Sequence, residues 1–194
     1  AVRTFRDKFG HDPAEGDEVE GTTPDNPDRE RYRMSAFGAQ FAEVRVREDT
    51  GEIRVPRMLG MFAAGRIINP RTARSQFIGG MTMGLSMALH EHSVLDPRFG
   101  HVVNYDFADY HIAANADVPA IEVHWLDEHD PHVNPLGSKG IGEIGIVGAA
   151  AAIANAAYHA TGIRVRELPL TADRFLCAAP GRSADEQTAK EKGR

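Results

Sequence analysis

Cysteine is nearly absent: Cys177 is the only one in 194 residues. One thiol closes no internal disulfide and cannot supply the four thiolates of an iron–sulfur or zinc site. Beside Phe175 and Leu176 it reads as a small buried apolar residue. An excess of positive charge is missing too. With 22 Lys and Arg against 28 Asp and Glu the net charge is −6, so the surface of a general nucleic-acid binder is not there. No apolar run reaches about 18 residues without glycine, histidine or charge, so no membrane span is expected, and no signal-peptide pattern opens the chain. H-E-x-x-H and G-x-x-x-x-G-K-[ST] do not occur. His90-Glu91-His92 has the wrong spacing for two ligands on one helical face, so the histidines read as surface residues.

What is present is the composition of a globular protein, 42% hydrophobic and 26% charged, in a length that suits one domain or part of a larger unit. The opening at Ala1 rather than methionine reads as a processed or excised piece. Residues 1–33 stand apart from the rest. Val2, Phe5 and Phe9 make a short amphipathic segment, after which Gly10 to Glu30 is acidic, interrupted by Pro13, Pro24 and Pro27, and reads as a solvated arm. Order is expected over residues 34–179, and residues 180–194 read as a polar tail.

Within the ordered part, Ala42, Val44 and Val46 alternate with Glu43, Arg45 and Arg47. Asp49-Thr50-Gly51 is a turn, and Ile53 and Val55 begin the return strand of a β-hairpin. Pro56 withholds a ladder donor, so this strand is expected to bend before Met58 to Phe62. Thr72 or Ser75 is expected to cap a helix from Gln76 to His90, with Gln76 on its first turn. Gly80, Gly84 and Ala88 form a small-residue stripe along it, which predicts close approach of another backbone. Pro97 to Gly100 is a turn. Ile121, Val123 and Trp125 alternate as a further strand, Val165 to Leu170 predicts a last short one, and Gly162 sits where glycine ends a helix. A final turn from Thr171 carries Phe175 and Leu176. These elements predict an α+β fold: a mostly antiparallel sheet with two buried helices, 76–90 and 145–160, packed on it.

The most informative stretch runs Asn134-Pro135-Leu136-Gly137-Ser138-Lys139-Gly140-Ile141-Gly142-Glu143-Ile144-Gly145 and is followed by the apolar run Ile146 to Tyr158. Its glycines remove side chains where backbone could approach a ligand. The run behind them leaves hardly any polar face, so a buried helix with a firmly held first turn is expected, carrying Glu143 at its start. Two readings stay open here, the packing one being commoner. The first is a glycine turn with an acid that complements the helix dipole. The second is a ligand loop that delivers one carboxylate.

Four features in this order are more specific together than any one alone. The hairpin around Asp49-Thr50-Gly51, then Ile68-Asn69-Pro70, then Gln76-Phe77-Ile78-Gly79-Gly80 with Gly84-Leu85, then Ser138-Lys139-Gly140-Ile141-Gly142-Glu143 resemble the xanthine dehydrogenase/aldehyde oxidase family of molybdenum hydroxylases. Arg166-Glu167-Leu168-Pro169-Leu170-Thr171 resembles the family's ending. The resemblance covers roughly residues 34–177, and only the C-terminal part of the family's large molybdenum-binding subunit. It implies that Glu143 is the catalytic base in the oxidation of an aldehyde or N-heterocycle, with water as oxygen donor. It implies molybdopterin, in its cytosine dinucleotide form, with molybdenum as cofactor. Gln76 and the backbone at Gly140 and Gly142 would contact it, and Lys139 would lie close to its anionic parts.

The implied partners are the N-terminal remainder of the large subunit, together with a [2Fe–2S] iron–sulfur subunit and an FAD (flavin) subunit, or equivalent domains. Alone, the chain is expected not to turn over. Mammalian members continue after the glutamate with a proline pair. Ile144-Gly145 is instead similar to the bacterial aldehyde-oxidising branch, with an isoquinoline- or nicotinate-type heterocycle still open as substrate. Two other functions stand beside this one: a non-catalytic molybdopterin-binding or assembly module, and a structural domain with no cofactor.

Overall fold

A computed structural model of the chain describes residues 2–14, 25–118 and 120–176. Cys177, the polar tail and residues 15–24 of the acidic arm lie outside the described residues. In chain order the elements are α1 (Val2–Phe9), β1 (Phe37–Val46), β2 (Ile53–Ala63), α2 (Pro70–Leu89), β3 (Leu95–Asp96), β4 (His101–Val102), β5 (Ala120–Trp125), α3 (Ile144–Val147), α4 (Ala149–Thr161) and α5 (Asp173–Leu176).

Strands β1 and β2 form the expected hairpin, closed where Gly51 takes a φ of 69°. Strand β5 joins the other edge of β2 in parallel, giving the order β1-β2-β5. The α+β class stands, with the hairpin as the longer ladder, but Val165 to Leu170 is not a strand. Pro169 has no N–H to give, and Leu170 spends its own on the carbonyl of Ala88 (2.7 Å), so it is buried at the end of α2 instead of in a ladder. Pro56 does not interrupt β2. Glu43 pairs with Arg57 and Arg45 with Arg54, so Val55 and Pro56 together face Val44. The missing N–H falls in this bulge, which also shifts the alternation by one: Val55 is buried within it, and Met58, Gly60 and Phe62 after it.

Helix α2 begins at Pro70 because Asn69, rather than Thr72 or Ser75, is its cap. The Asn69 side-chain oxygen accepts from the N–H groups of Arg71 (3.0 Å) and Thr72 (3.3 Å), and proline occupies the first position. Gln76 therefore lies in the second turn, not the first. Phe77, Met81, Leu85 and Ala88 are fully buried, and Phe77 stacks on Phe62 of β2 with ring centroids 4.3 Å apart. The close approach predicted by the small-residue stripe is there. A Cβ on Gly80 would lie 2.9 Å from the Cα of Gly145, and one on Gly84 would collide with the Cβ of Ala149.

The apolar run from Ile144 is not one buried helix. Gly148 divides it into the four-residue α3 and the longer α4. Helix α4 buries only Ala149, Ile153 and Ala157, a single row at four-residue spacing, against α2 and β1, while Val147 and Tyr158 are exposed. By length and composition Ile144–Thr161 is apolar enough to cross a membrane, but here the break and the packed row make it a core element. Gly162 ends α4 in the left-handed conformation (φ 75°), donating to the carbonyl of Tyr158.

Candidate functional site

The glycine-rich stretch is first folded by its own asparagine. The Asn134 side-chain oxygen accepts from the N–H groups of Leu136 (3.0 Å) and Ser138 (3.3 Å), and its amide donates to the carbonyl of Ser138 (2.7 Å). The loop then docks on the chain leaving β2. Arg66 N–H donates to the carbonyl of Gly137 (2.7 Å), and Lys139 N–H donates to that of Ala64 (3.3 Å). Gly65 faces Ser138 with a φ of 65°, and a Cβ there would collide with the Gly137 carbonyl.

Lys139, expected near a cofactor's anionic parts, is held between two carboxylates of the preceding acidic loop. Its Nζ lies 2.6 Å from Glu128 and 3.1 Å from Asp130, and its side chain is 7% exposed. The second oxygen of Glu128 accepts from Gly65 N–H (2.8 Å), so one carboxylate ties the glycine loop to the end of β2. Burial works against the Lys139 charge, yet the hydrogen bonds to Glu128 and Asp130 outweigh it, and its pKa is raised. Glu128 and Asp130 are both held below the usual carboxylate range, each chiefly by the hydrogen bond from Lys139. On the far side of this loop, residues of the arm dock as well. The Asn26 amide donates to the carbonyls of His132 (2.7 Å) and Val133 (2.9 Å), and the Tyr32 ring stacks on His132 at 4.0 Å.

Glu143 stands at the N-cap position of α3 but caps no backbone N–H. Among the described residues its carboxylate has no hydrogen bond or ion pair, and the residue is exposed. Because α3 has only four residues, the dipole of a long helix does not act there, and the start of α4 lies beyond Gly148. Gly140, Gly142 and Glu143 line a groove of about 710 Å³ together with Phe37, Gln40 and Val147. Gln76 does not line it. It reaches the loop from α2, its Nε2 donating to the carbonyl of Gly142 (3.1 Å) and leaving its oxygen uncommitted.

The three glycines nearest Glu143 divide into two kinds. A Cβ on Gly145 would come within 2.7 Å of the Phe77 carbonyl, so α2 demands glycine there. At Gly140 and Gly142 an added Cβ would meet nothing within 4 Å. The chain's own packing gives no reason for glycine at those two positions, which is what a surface closely approached by a bound cofactor would show. Among the described residues no group of three or more His, Cys, Asp or Glu could hold a metal ion.

Three residues of the site give little sign of themselves in the sequence. Gln40 shares the inward parity of Ala42, Val44 and Val46, so a polar residue in an apolar row was its only signal. Its Nε2 donates to the carbonyls of Ile144 (3.2 Å) and Gly145 (3.0 Å). Glu128 is legible only as part of an acidic loop preceding a lone lysine. Gly65 has no local signal at all.

Comparison with known proteins places the chain in a family. Residues 8–119 match the family model described as the molybdopterin cofactor-binding domain. The chain is 53% identical over 149 residues to the aldehyde oxidoreductase molybdenum-binding subunit PaoC of Escherichia coli K12, covering 77% of this chain and 20% of that protein. A match of that length within 194 residues necessarily spans Glu143. It is 36% identical to the putative xanthine dehydrogenase molybdenum-binding subunit XdhA of the same organism, covering 72% of this chain and 18% of that one. Among solved structures, the aldehyde oxidoreductase from Desulfovibrio desulfuricans superposes with a TM-score of 0.67 at 29% identity, over 75% of this chain and 16% of that one. The chain thus spans about a fifth of the length of the curated relatives it matches. On the family match, the relatives and the shared fold, the chain belongs to the molybdopterin cofactor-binding domain family, as part of a molybdenum-binding subunit of the xanthine dehydrogenase/aldehyde oxidase type.

Proposed function

We propose that this chain contributes the general base of a molybdenum-dependent oxidoreductase that oxidises an aldehyde, with water as the source of oxygen. The observation that supports it is the exposed, uncommitted carboxylate of Glu143 on the groove formed by Gly140 and Gly142. A carboxylate that neither caps its helix nor pairs with a cation is free to take a proton. Molybdopterin with molybdenum, when bound, supplies the two-electron acceptor. Gly140 and Gly142 would hold it through backbone groups, and Gln76 through its free oxygen. Glu143 takes up the proton released as the water-derived oxygen adds to the electron-poor carbon. The likeness to PaoC supports an aldehyde over an N-heterocycle.

The cofactor in its cytosine dinucleotide form, and the rest of the subunit as partner, belong to the same proposal. So do [2Fe–2S] and flavin carriers on other subunits or domains: a [2Fe–2S] cluster takes four ligands, ordinarily thiolates, and this chain has one cysteine.

The test is Glu143→Gln in the complete complex. Turnover of an aromatic aldehyde falls by about 10²-fold to 10⁴-fold, the range for loss of a general base, with molybdenum and pterin content unchanged. Unaltered turnover would remove Glu143 from the chemistry, and a complex that never contains molybdenum would remove the reaction class itself.

A further inference from the structure

We propose that Gln40 is a positioning residue for Glu143, an inference that rests on the reading of Glu143 as base. Strand β1 carries Gln40 into the angle between the sheet and α3. There its single Nε2 donates to two successive carbonyls, Ile144 (3.2 Å) and Gly145 (3.0 Å). Two carbonyl acceptors fix which end of the amide is nitrogen. On the other flank of Glu143, Gln76 donates to the carbonyl of Gly142 (3.1 Å). The peptide units on both sides of the carboxylate are therefore pinned by side-chain amides from different elements, one from a strand and one from a helix.

Two further observations make Gln40 more than a packing residue. Its Oε1 is buried and has no hydrogen-bond partner among the described residues. An orphaned amide oxygen is a cost, and a side chain kept for stability alone would not carry it. The carboxamide also packs against Gly148: a Cβ at that glycine would come within 3.2 Å of its Cδ and 3.3 Å of its Nε2. Gly148 is thus the space that lets the amide reach the carbonyls of α3. With Gly145 seated against Phe77 and Gly80 of α2, the short helix is held between Gln40 and α2, and the position of Glu143 is set by that clamp.

The experiment uses the complete complex carrying Gln40→Met, which keeps the length of the side chain and removes its donors. The kcat for aldehyde oxidation falls about 10-fold to 100-fold, the effect of displacing a reacting group by a fraction of an ångström to an ångström. KM stays within about twofold and molybdenum content is unchanged. The acid limb of the pH–kcat profile moves, because it reports the carboxylate in its bound setting. Amide hydrogen exchange over residues 141–148 speeds up.

Gly148→Ala is the second variant. It presses on the carboxamide without removing it, lowers kcat by a smaller factor, and in combination with Gln40→Met adds nothing further. Unchanged kcat and pH profile in Gln40→Met overturn the proposal. So does a loss of kcat that tracks loss of molybdenum with the acid limb unmoved, which is a purely structural effect. If Gln40→Met does not fold, multiplicative behaviour cannot be read, and Gly148→Ala with wild-type kcat and pH profile overturns it by itself. Glu143→Gln in the same series separates the two ideas. Full turnover there sinks the base reading, whereas loss there with normal Gln40→Met kinetics sinks only the clamp.

Discussion

A Cβ added at Gly65 would run into the carbonyl of Gly137, and the φ of 65° already disfavours any side chain, whereas one added at Gly142 meets nothing. Alanine should separate these two glycines cleanly in the complete complex. Gly65→Ala costs at least about 2 kcal/mol, because strain and collision act together where the loop docks on β2, and it lowers the melting temperature. Gly142→Ala leaves the melting temperature within about a degree but lowers molybdenum and pterin content, since only a ligand needs that space. Thermal melts and metal analysis on the two variants decide it, and a Gly142→Ala complex with full molybdenum would take Gly142 out of the cofactor cradle. The difference is invisible in the sequence. The Gly140 and Gly142 positions are conspicuous as a motif, while Gly65, flanked by Ala64 and Arg66, is defined by a loop more than seventy residues away.

At the scale of elements, local rules read well wherever the competing groups are neighbours in sequence. The hairpin turn, the stripe on α2 that receives α3 and α4, and the glycine ending α4 follow from such rules. Two expectations failed because a stronger local partner was nearby: Asn69 outcompetes Thr72 as the cap of α2, and the bulge at Val55–Pro56 absorbs the proline that would have bent β2. The loop that carries Glu143 depends on longer reach. Glu128 and Asp130 are depressed carboxylates, so the ion-paired clamp on Lys139 is fully present above their ordinary values of 4.5 and 3.8 and is lost as pH falls below them. Lys139, raised, stays charged throughout that range. Exchange of the 134–143 amides, corrected for intrinsic rate, should therefore accelerate as pH falls below about 4.5, with a smaller step in Glu128→Gln. Lys139→Met should loosen the same segment at neutral pH by about 2 kcal/mol, below the full cost of breaking a buried pair because both carboxylates keep some water. Equal exchange in wild type and Lys139→Met would show that the backbone bonds to Ala64 and Arg66 hold the loop unaided.

For the molecule as a whole, many large apolar side chains stay uncovered among the described residues. Phe99, Tyr105 and Phe107 are 72%, 80% and 89% exposed, Met83 projects from α2, Phe37 and Phe41 from β1, and Val147 from α3 beside the candidate groove. Single exposed apolar residues are ordinary, but a run of aromatics beyond α2 together with one face of the hairpin is the pattern of a surface built to be covered. None of this was readable beforehand, since Phe99 to Phe107 has no helical or strand period and α4 looked buried on every side. The chain matches about a fifth of the length of its curated relatives, and we read the remaining length as the cover. The chain expressed by itself should bind a hydrophobic dye strongly and self-associate at micromolar concentration. The same residues within the complete subunit should do neither, and charged substitutions at Phe99 and Phe107 should cut the dye signal of the isolated chain while weakening assembly of the complex. A monomeric, dye-silent chain would mean that this surface is finished as it stands, and that Glu143 opens to solvent rather than to a shared active site.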